Sequence, residues 1–326
     1  MSLDPAVAAL RLGVRRCLAD VDEGPVLVAC SGGADSLALL VATVFEARAQ
    51  PWRVIGVTVD HGLQAGSAER AENLVGLMAS LGADETVGVR VRVEAVGQGP
   101  EAAAREARYA VLEEVAERFA APVVLLGHTL DDQAETVLLG LTRGSGGRSI
   151  AGMRRAFDRF RRPLLDITRA QTEAACAAEG LEPWHDPHNA DPAFTRSRVR
   201  TEVMPVLERE LGPGVTAALA RTATQLQADV AALDAIADAT YAALATGVGL
   251  PVDDLTQLPD AIRLRVLRRA ALAAGAIPSD LAHHHLLAVD DLIQNWRGQQ
   301  WVDLPGHLRA VRRDGRISVA GPTISE

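Results

Sequence analysis

The sequence predicts an α/β fold, a doubly wound parallel sheet followed by a second, mostly helical domain that ends in a small hairpin or meander. In the first half, short runs rich in Val, Ile and Leu alternate with segments whose apolar residues lie three or four positions apart. Almost continuously apolar runs are typical of parallel strands covered on both faces. Their alternation with helices is typical of a doubly wound sheet. In the second half, helical periodicity dominates until three short strand-like segments near the end.

The first half of the chain holds the predicted sheet. Its strands are expected at 25–30, 53–60, 86–96 and 122–128, and the helices between them at 36–48, 67–81 and 101–119. Ligands of such folds bind beyond the carboxyl ends of the strands. We therefore expect the functional residues directly after the strands.

The segments after this sheet are less regular. A helix is predicted from Leu130 to the first of several glycines at Gly144, and the Gly- and Arg-rich segment 144–162 is interpreted as a mobile loop. Another helix is expected over 168–179, and the prolines of 183–194 indicate turns.

The segment Gly212-Pro213-Gly214 marks the predicted domain boundary. It separates a catalytic domain, 1–211, from a mostly helical recognition domain, 215–326. In the second domain, helices are predicted at 215–245, 259–274 and 279–296, the last capped by Ser279, and strands at 299–304, 308–313 and 316–319. The pair Asp314-Gly315 is a strong hairpin signal.

The composition excludes several classes of protein. All 33 basic residues are arginine, which excludes lysine Schiff-base chemistry and a Walker-type phosphate loop. The cysteines at 17, 30 and 176 form no closely spaced pair, which argues against a zinc ribbon, an iron–sulfur cluster or a disulfide framework. No apolar run approaches the length of a membrane span and no targeting segment is visible, so the expected location is the cytoplasm.

The charge distribution favours an anionic partner that binds at one place. The net charge of −9 argues against indiscriminate nucleic-acid binding. However, the segment 143–169 contains eight arginines and only two acidic residues. A solvated basic loop is the alternative interpretation.

The strongest local motif is the loop between the first strand and the first helix of the sheet. Its sequence is Ser31-Gly32-Gly33-Ala34-Asp35-Ser36. Two glycines let the backbone approach a ligand closely, and the free amides at the start of a helix attract anions. The alternative is an ordinary strand-to-helix turn in which Asp35 caps the helix.

Polar residues also follow the second and fourth strands. Asp60 and His61 follow the second strand, where Asp60 is either an adenosine contact or a turn residue. After the fourth strand, helical spacing allows His128 to share a face with Asp132, or Asp131 with Glu135. Acidic residues favoured by the helix dipole are the alternative, but that alternative does not explain the histidine.

Several arginines are candidate contacts for phosphate, and a solvated face is the alternative for each. They are Arg105, Arg108, Arg143, Arg148, Arg196, Arg198 and Arg200. The tract at 283–285 contains three consecutive histidines, but neighbouring residues of a helix point in different directions, so we do not interpret it as a metal site.

The loop at 31–36 resembles the pyrophosphate loop of the N-type ATP pyrophosphatases, which cut ATP to AMP and pyrophosphate. Other segments, in order along 25–210, resemble the tRNA(Ile)-lysidine synthetase branch, in its short form. They are 59–63 (VDHGL), 105–109 (REARY), 127–136 (GHTLDDQAET), 143–146 (RGSG) with 152–153 (GM), 162–165 (RPLL) and 184–200. The chain departs from the family pattern at His188 and Ser197, which puts fine contacts with the substrate in question.

The resemblance implies a ligase that joins lysine to C2 of the wobble cytidine of a CAU-anticodon isoleucine tRNA. It implies ATP and Mg²⁺ as cofactors and an adenylated cytidine as the intermediate. Two alternatives stay open, an ATP pyrophosphatase with another acceptor and a nucleotide-binding module without turnover. The oligomeric state is also open, with a homodimer as one alternative.

The resemblance also implies roles for the candidate residues. ATP is expected at 31–36 with Asp60 and His61. Catalysis and lysine binding are expected of Asp35, His128, Asp131, Asp132 and Glu135, with Mg²⁺ on Asp35 or Asp132. Contacts with tRNA or the adenylate are expected of the arginines named above, together with Asp186 and Asn189.

Overall fold

A computed structural model describes residues 3–62, 66–91, 100–143, 146–186, 191–245 and 247–321 of the chain. They form two compact units. Unit 1 comprises Met1–Leu139 and Gly152–Ala223, and unit 2 comprises Gly140–Ala151 and Thr224–Glu326. In the described residues, no helix combines the length and the apolar character needed to span a membrane.

Unit 1 contains a six-stranded sheet that confirms the predicted fold class. Its strands are β1 Gly24–Ala29, β2 Trp52–Asp60, β3 Glu85–Arg90, β4 Val123–Leu126, β5 Ala156–Phe157 and β6 Phe160–Arg161. They lie in the order β3-β2-β1-β4-β6-β5, and every neighbouring pair is parallel except β5 and β6. Part of the predicted third strand, 92–96, lies outside the described residues.

Helices cover both faces of this sheet. Those of unit 1, which excludes the last four residues of α5, are α1 Pro5–Cys17, α2 Ala34–Ala47, α3 Ser67–Ser80, α4 Pro100–Arg118, α5 Leu130–Arg143, α7 Arg169–Ala178, α8 Thr195–Arg198 and α9 Met204–Glu210, with a π-helical turn Val199–Val203 between the last two. In β1, Val26 and Val28 pack in a core with α1, α2 and α7, whereas Leu27 packs in a second core with α4. Burial on alternate sides explains the continuous apolar run of this strand.

The interpretation of 144–162 as a mobile loop is wrong for its described residues. They include the helical turn α6 Gly147–Ile150 and the hairpin of β5 and β6, which extends the sheet beside β4. Phe160 is buried, and its ring stacks on Phe157 at 5.2 Å between centroids. Strands of two residues are too short to show an alternating apolar pattern in the sequence. The packing of these two rings stabilises the hairpin instead.

Unit 2 combines helices with a four-stranded antiparallel sheet. The division between the units falls inside α10 Val215–Leu244, and the remaining helices are α11 Val252–Gln257, α12 Asp260–Ala273 and α13 His283–Gln294. The strands β7 Leu250–Pro251, β8 Val302–Leu304, β9 Leu308–Arg313 and β10 Arg316–Ala320 lie in the order β7-β10-β9-β8. The three predicted strands are confirmed, whereas β7 and α11 were not predicted.

The predicted cap of the last helix is wrong. Ala282 precedes α13, and the hydroxyl of Ser279 is hydrogen-bonded to Asp280 instead. The first turn of α13 is closed by Nδ1 of His285, which accepts the amide N–H of Ala282 at 3.1 Å. His285 therefore has the role at the start of the helix that the sequence predicted for Ser279.

Candidate active site

The loop at 31–36 is held in one conformation by its own serines. Gly32 has φ +85°, a left-handed conformation that favours glycine. The hydroxyl of Ser36 accepts the amide N–H of Ser31 at 3.1 Å and donates to the carbonyl of Gly33 at 2.9 Å. Because α2 begins after Gly33 without a side-chain cap, its first amides remain suited to an anion.

The turn after β4 packs directly against this loop. A Cβ atom on Gly127 would lie 3.1 Å from the carbonyl oxygen of Asp35 and 3.2 Å from Cα of Ser36. Only glycine therefore fits this position without displacing backbone. The contact brings the start of α5, with its histidine and carboxylates, next to the loop.

Asp35 is not a helix cap, so that alternative is wrong. Its carboxylate accepts the hydroxyl of Thr172 in α7, and its Oδ2 lies 3.7 Å from Nε of Arg169. Burial raises the pKa of Asp35 to about 6, although Thr172 and Arg169 oppose the shift. The side chain points away from its own helix, toward α7.

Two carboxylates of α5 meet three arginines from other helices. Arg169 lies 3.0 Å from Oδ1 of Asp132, while Arg196 and Arg200 lie 2.9 Å and 2.7 Å from the carboxylate of Glu135. Both carboxylates are buried. Burial alone would raise the pKa of Asp132, but Arg169 and Arg196 lower it to about 2. We call these five residues the carboxylate–arginine cluster.

Of the two predicted pairs, His128 and Asp132 lie close enough for their charges to shift each other's pKa. Asp132 shares its arginines with Glu135, three positions away. Asp131 instead accepts the backbone N–H of Arg169 at 2.7 Å, at the first residue of α7. Asp132 also accepts the amide of Thr129 at 2.9 Å, which holds it at the start of the helix.

Arg196 and Arg200 are four positions apart in a continuous helical segment. Their side chains therefore lie on the same face of the helix and contact the same carboxylates. A surface location is therefore wrong for both. Arg198 points elsewhere, because its guanidinium donates to the backbone carbonyls of Pro192 and Ala193 at 2.6 and 3.1 Å.

His128 is neutral, and its tautomer is defined by an arginine. Its Nδ1 accepts from Nε of Arg162 at 3.2 Å, which leaves the proton on Nε2. Burial lowers the pKa of His128 to about 3, and the positive charge of Arg162 adds to the shift although Asp132 opposes it. A buried histidine of this kind donates a hydrogen bond and is a poor base at neutral pH.

A second group of arginines lies on the other side of the histidine. Arg162 also donates to the hydroxyl of Tyr109 at 3.2 Å, and Arg105 donates to the same hydroxyl at 3.2 Å. Nε of Arg108 is buried without a hydrogen-bond partner in the described part of the molecule. Burial and Arg105 both lower the pKa of Arg108. The desolvated guanidinium groups of Arg108 and Arg162, with the exposed Arg105 nearby, favour an anionic ligand.

The end of β2 offers two buried polar atoms. Oδ1 of Asp60 accepts the amide of Gly62 at 2.8 Å, and its Oδ2 lies 3.6 Å from Nε of Arg90. That oxygen and Nδ1 of His61 have no hydrogen-bond partner among the described residues. Burial tends to raise the pKa of Asp60, but the Gly62 amide and nearby charges hold it below its usual value. Burial lowers the pKa of His61.

The remaining predicted contacts are Arg143, Arg148, Asp186 and Asn189. Arg148 belongs to unit 2, where it forms an ion pair with Asp234 at 2.5 Å. Asn189 and the side chain of Arg143 lie outside the described residues, and Asp186 directly precedes the undescribed segment 187–190.

Only one of the two predicted Mg²⁺ ligands fits a cation. Both oxygens of Asp132 accept hydrogen bonds, one from Thr129 and the other from arginines. A cation there would face three positive charges. Asp35 has one hydroxyl donor and a more distant guanidinium, so its Oδ2 is the better donor for Mg²⁺. The described residues contain no group of three metal-ligating side chains.

Sequence reasoning missed four residues of the site, Tyr109, Arg162, Arg169 and Thr172. The sequence marks Arg169 only as part of a basic segment, Arg162 as part of that segment and of the motif 162–165, and Tyr109 only as part of a motif. No local pattern marks Thr172, because its partner Asp35 is 137 positions away. Only the packing of α7 against α2 brings these two side chains together.

Comparison with known proteins identifies the family. A PP-loop domain model matches residues 9–207, and a TilS substrate binding domain model matches residues 250–318. The tRNA(Ile)-lysidine synthase of Thermobifida fusca is 56% identical over 318 residues, which cover 97% of this chain and 98% of that protein. The tRNA(Ile)-lysidine synthase of Salinispora arenicola is 53% identical over 331 residues, covering 98% of each chain.

A solved structure supports the fold alone. The U34-tRNA thiolase NcsA of Methanococcus maripaludis, with its [4Fe-4S] cluster, superposes with a TM-score of 0.57 at 18% identity, covering 68% of this chain and 78% of that one. Together, the two domain matches and the nearly full-length similarity show that the chain belongs to the tRNA(Ile)-lysidine synthase family.

Proposed function

We propose that this chain joins lysine to C2 of the wobble cytidine of a CAU-anticodon isoleucine tRNA, with ATP, in two steps. In the first, the C2 oxygen of cytidine attacks the α-phosphorus of ATP and pyrophosphate leaves. In the second, the amine of lysine attacks C2 and AMP leaves with the former C2 oxygen. The observation that carries the proposal is the position of the 31–36 loop beside the start of α5, with its neutral histidine and buried carboxylates.

The phosphates of ATP are assigned to the 31–36 loop and the arginines near it. The amides at the start of α2 suit the departing pyrophosphate. Arg108 and Arg162 have no carboxylate partner among their described contacts, so they are suited to the charge that develops at the α-phosphate. Nε2–H of His128 adds a neutral donor beside them.

When bound, Mg²⁺ neutralises charge on the phosphate chain. Asp35 is the residue that would hold it. We assign the adenosine to the end of β2, where Asp60 and His61 each keep a buried polar atom without a hydrogen-bond partner among the described residues.

We assign lysine to the carboxylate–arginine cluster. Free lysine is a zwitterion with a further positive charge on its side chain, and the cluster offers carboxylates and guanidinium groups next to each other. Of the two carboxylates that the sequence left unranked, Glu135 is the better candidate. Asp131 is committed to the backbone of α7, whereas Glu135 faces the cluster, where an ammonium group of lysine would have to displace part of its contacts with Arg169, Arg196 and Arg200.

We assign the tRNA body to unit 2 and the arginine-rich segment before it. The match to a substrate-binding domain model over 250–318 supports this assignment. The proposed division places catalysis in 1–211 and most of the tRNA recognition in 215–326, with the arginines of 143–169 as further tRNA contacts.

The experiment is incorporation of labelled lysine into unmodified isoleucine tRNA with a CAU anticodon, in the presence of Mg·ATP. Label should enter this tRNA and not methionine tRNA with the same anticodon. ATP–pyrophosphate exchange without tRNA would indicate another acceptor, and ATP binding without any pyrophosphate release would indicate a module without turnover. Either result from folded protein contradicts the proposal.

A matched pair of variants on α5 tests the lysine assignment. Glu135→Gln should lower kcat/KM for lysine about 100-fold, because charge-assisted hydrogen bonds to the ligand are lost. The tRNA-dependent release of pyrophosphate should persist. Asp131→Asn keeps an oxygen acceptor for the Arg169 amide and should change kcat/KM for lysine by less than about fivefold. Equal losses in the two variants would contradict the assignment, and thermal melting checks that both are folded.

A further inference from the structure

The antiparallel sheet of unit 2 buries one face and exposes the other. Leu304, Leu308, Ala310 and Ile317 lie in the core formed with the helices of this unit. The register pairs Leu304 with Leu308 and Asp303 with Arg309. Since successive side chains of a strand point to opposite faces, Arg309 and its neighbours at alternate positions lie on the face opposite the core.

An exposed tryptophan lies on that outer face. Trp301 precedes β8 and is two positions from Asp303, so it shares the same side. Its ring is covered on one side by the guanidinium group of Arg309, which lies 4.4 Å from the ring centroid. Nε of Arg309 is in turn 3.1 Å from Asp303. Trp301 is nevertheless 43% exposed, so a large part of a positioned aromatic surface faces solvent.

The charge around this ring is positive. The outer face carries Arg309 and Arg313 in β9 and Arg316 in β10, with Asp303 as the acidic residue among its paired positions. Arg313 is exposed. Three arginines against one acidic residue make this face locally positive on a protein whose net charge is −9.

We propose that this outer face binds RNA, with a base stacked on Trp301 and adjacent phosphates bound by Arg309 and Arg313. An exposed aromatic ring next to cations matches the two parts of a nucleotide, a planar base and an anionic phosphate. This inference rests on the proposed function, which makes tRNA the macromolecular substrate. It specifies which face of the domain matched over 250–318 makes the contact.

The test is the affinity of the full-length protein for unmodified isoleucine tRNA, measured by fluorescence anisotropy at fixed salt. Trp301→Ala should raise the Kd about tenfold, the usual effect of losing one stacked base. Trp301→Tyr keeps an aromatic ring and should stay within about threefold of the wild type. In lysine incorporation, Trp301→Ala should raise KM for tRNA and leave kcat unchanged.

Trp296 provides the matched control. It is 47% exposed and is covered by Arg312 at 4.6 Å, so its local setting is similar. Arg312, however, pairs with the buried Ile317 and donates to the carbonyl of Leu292, which places it on the side of α13. Trp296→Ala should therefore leave the Kd for tRNA unchanged.

Three results would overturn the inference. They are an unchanged Kd for Trp301→Ala, an equal loss of affinity in the two alanine variants, and a change in oligomeric state showing that the face joins two copies of the chain. Sedimentation of each variant measures its oligomeric state. Failure of the proposed function is a separate outcome, because it appears as a wild-type protein that binds tRNA without incorporating lysine.

Discussion

At the scale of single residues, burial and arginine set the protonation of the active site. Asp35 and Asp132 are both carboxylates at the start of helices, yet burial raises the pKa of Asp35 to about 6, while Arg169 and Arg196 overcome burial and lower the pKa of Asp132 to about 2. The difference follows from the number of guanidinium groups in contact with each. Asp35 can therefore exchange a proton near neutral pH, whereas Asp132 stays charged.

The raised pKa of Asp35 predicts a pH-dependent loss of stability. The folded state holds this proton up to about pH 6, whereas an ordinary aspartate loses it near 3.8. The contribution of protonated Asp35 to the free energy of unfolding is therefore present below pH 4 and is lost as the pH rises through 6. Relative to Asp35→Asn, the free energy of unfolding of the wild type should fall by up to about 3 kcal/mol between pH 4 and pH 7.

Urea unfolding of both proteins at several pH values measures this difference. Asn keeps an oxygen for the Thr172 hydroxyl, so the comparison isolates the ionisation. A difference between the two proteins that does not change with pH would contradict the raised pKa. The variant should also lose tRNA-dependent pyrophosphate release while remaining folded. Retained release would show that Asp35 has no role in catalysis.

At the scale of elements, one glutamate holds the start of the long helix α10. The carboxylate of Glu208 accepts the amides of Gly214 and Thr216 at 2.7 and 2.8 Å and also the hydroxyl of Thr216. These donors, first of all the hydroxyl, lower the pKa of Glu208 to about 2. A side chain from α9 thus satisfies amides that a helix leaves unpaired at its start.

We expect Glu208→Gln to lower the Tm by a few degrees at pH 7, as loss of a helix cap does. Because the folded pKa is depressed, this stabilisation is complete above about 4.5 and is lost as the pH falls toward 2. The difference in Tm between variant and wild type should therefore shrink at pH 3. Glu210→Gln removes an exposed carboxylate paired with Arg209 and should leave the Tm nearly unchanged. Equal effects at both pH values would show that the charge of Glu208 is irrelevant.

Elements with a strong period were predictable from the sequence, and those formed by distant packing were not. The continuous apolar run of β1 and the amphipathic length of α10 each carry a local signal. The hairpin of β5 and β6 does not, because it depends on the ring of Phe160 packing beside β4. The loop at 31–36 was predictable from its glycines and serines. The ion pairs of Glu135 were not, since Arg196 and Arg200 come from 61 and 65 positions away.

At the scale of the whole molecule, an acidic chain uses arginine for all of its positive charge. The 33 basic residues include no lysine, and several of the arginines are already paired with carboxylates inside the site. Affinity for tRNA therefore depends on a limited set of arginines that remain exposed. Their attraction to phosphates acts against a net charge of −9, so it should be local and easily screened.

This distribution predicts a steep salt dependence for tRNA binding and a weak one for the binding of free lysine. Each phosphate neutralised by an arginine releases counterions, so log Kd for tRNA should rise with log salt with a slope close to the number of such contacts. The proposed lysine site is a buried cluster, where salt screens less. Titrations of tRNA and of labelled lysine between about 50 and 300 mM KCl measure both slopes. A tRNA affinity independent of salt would mean that the arginines do not contact phosphates, and recognition would then depend on the bases alone.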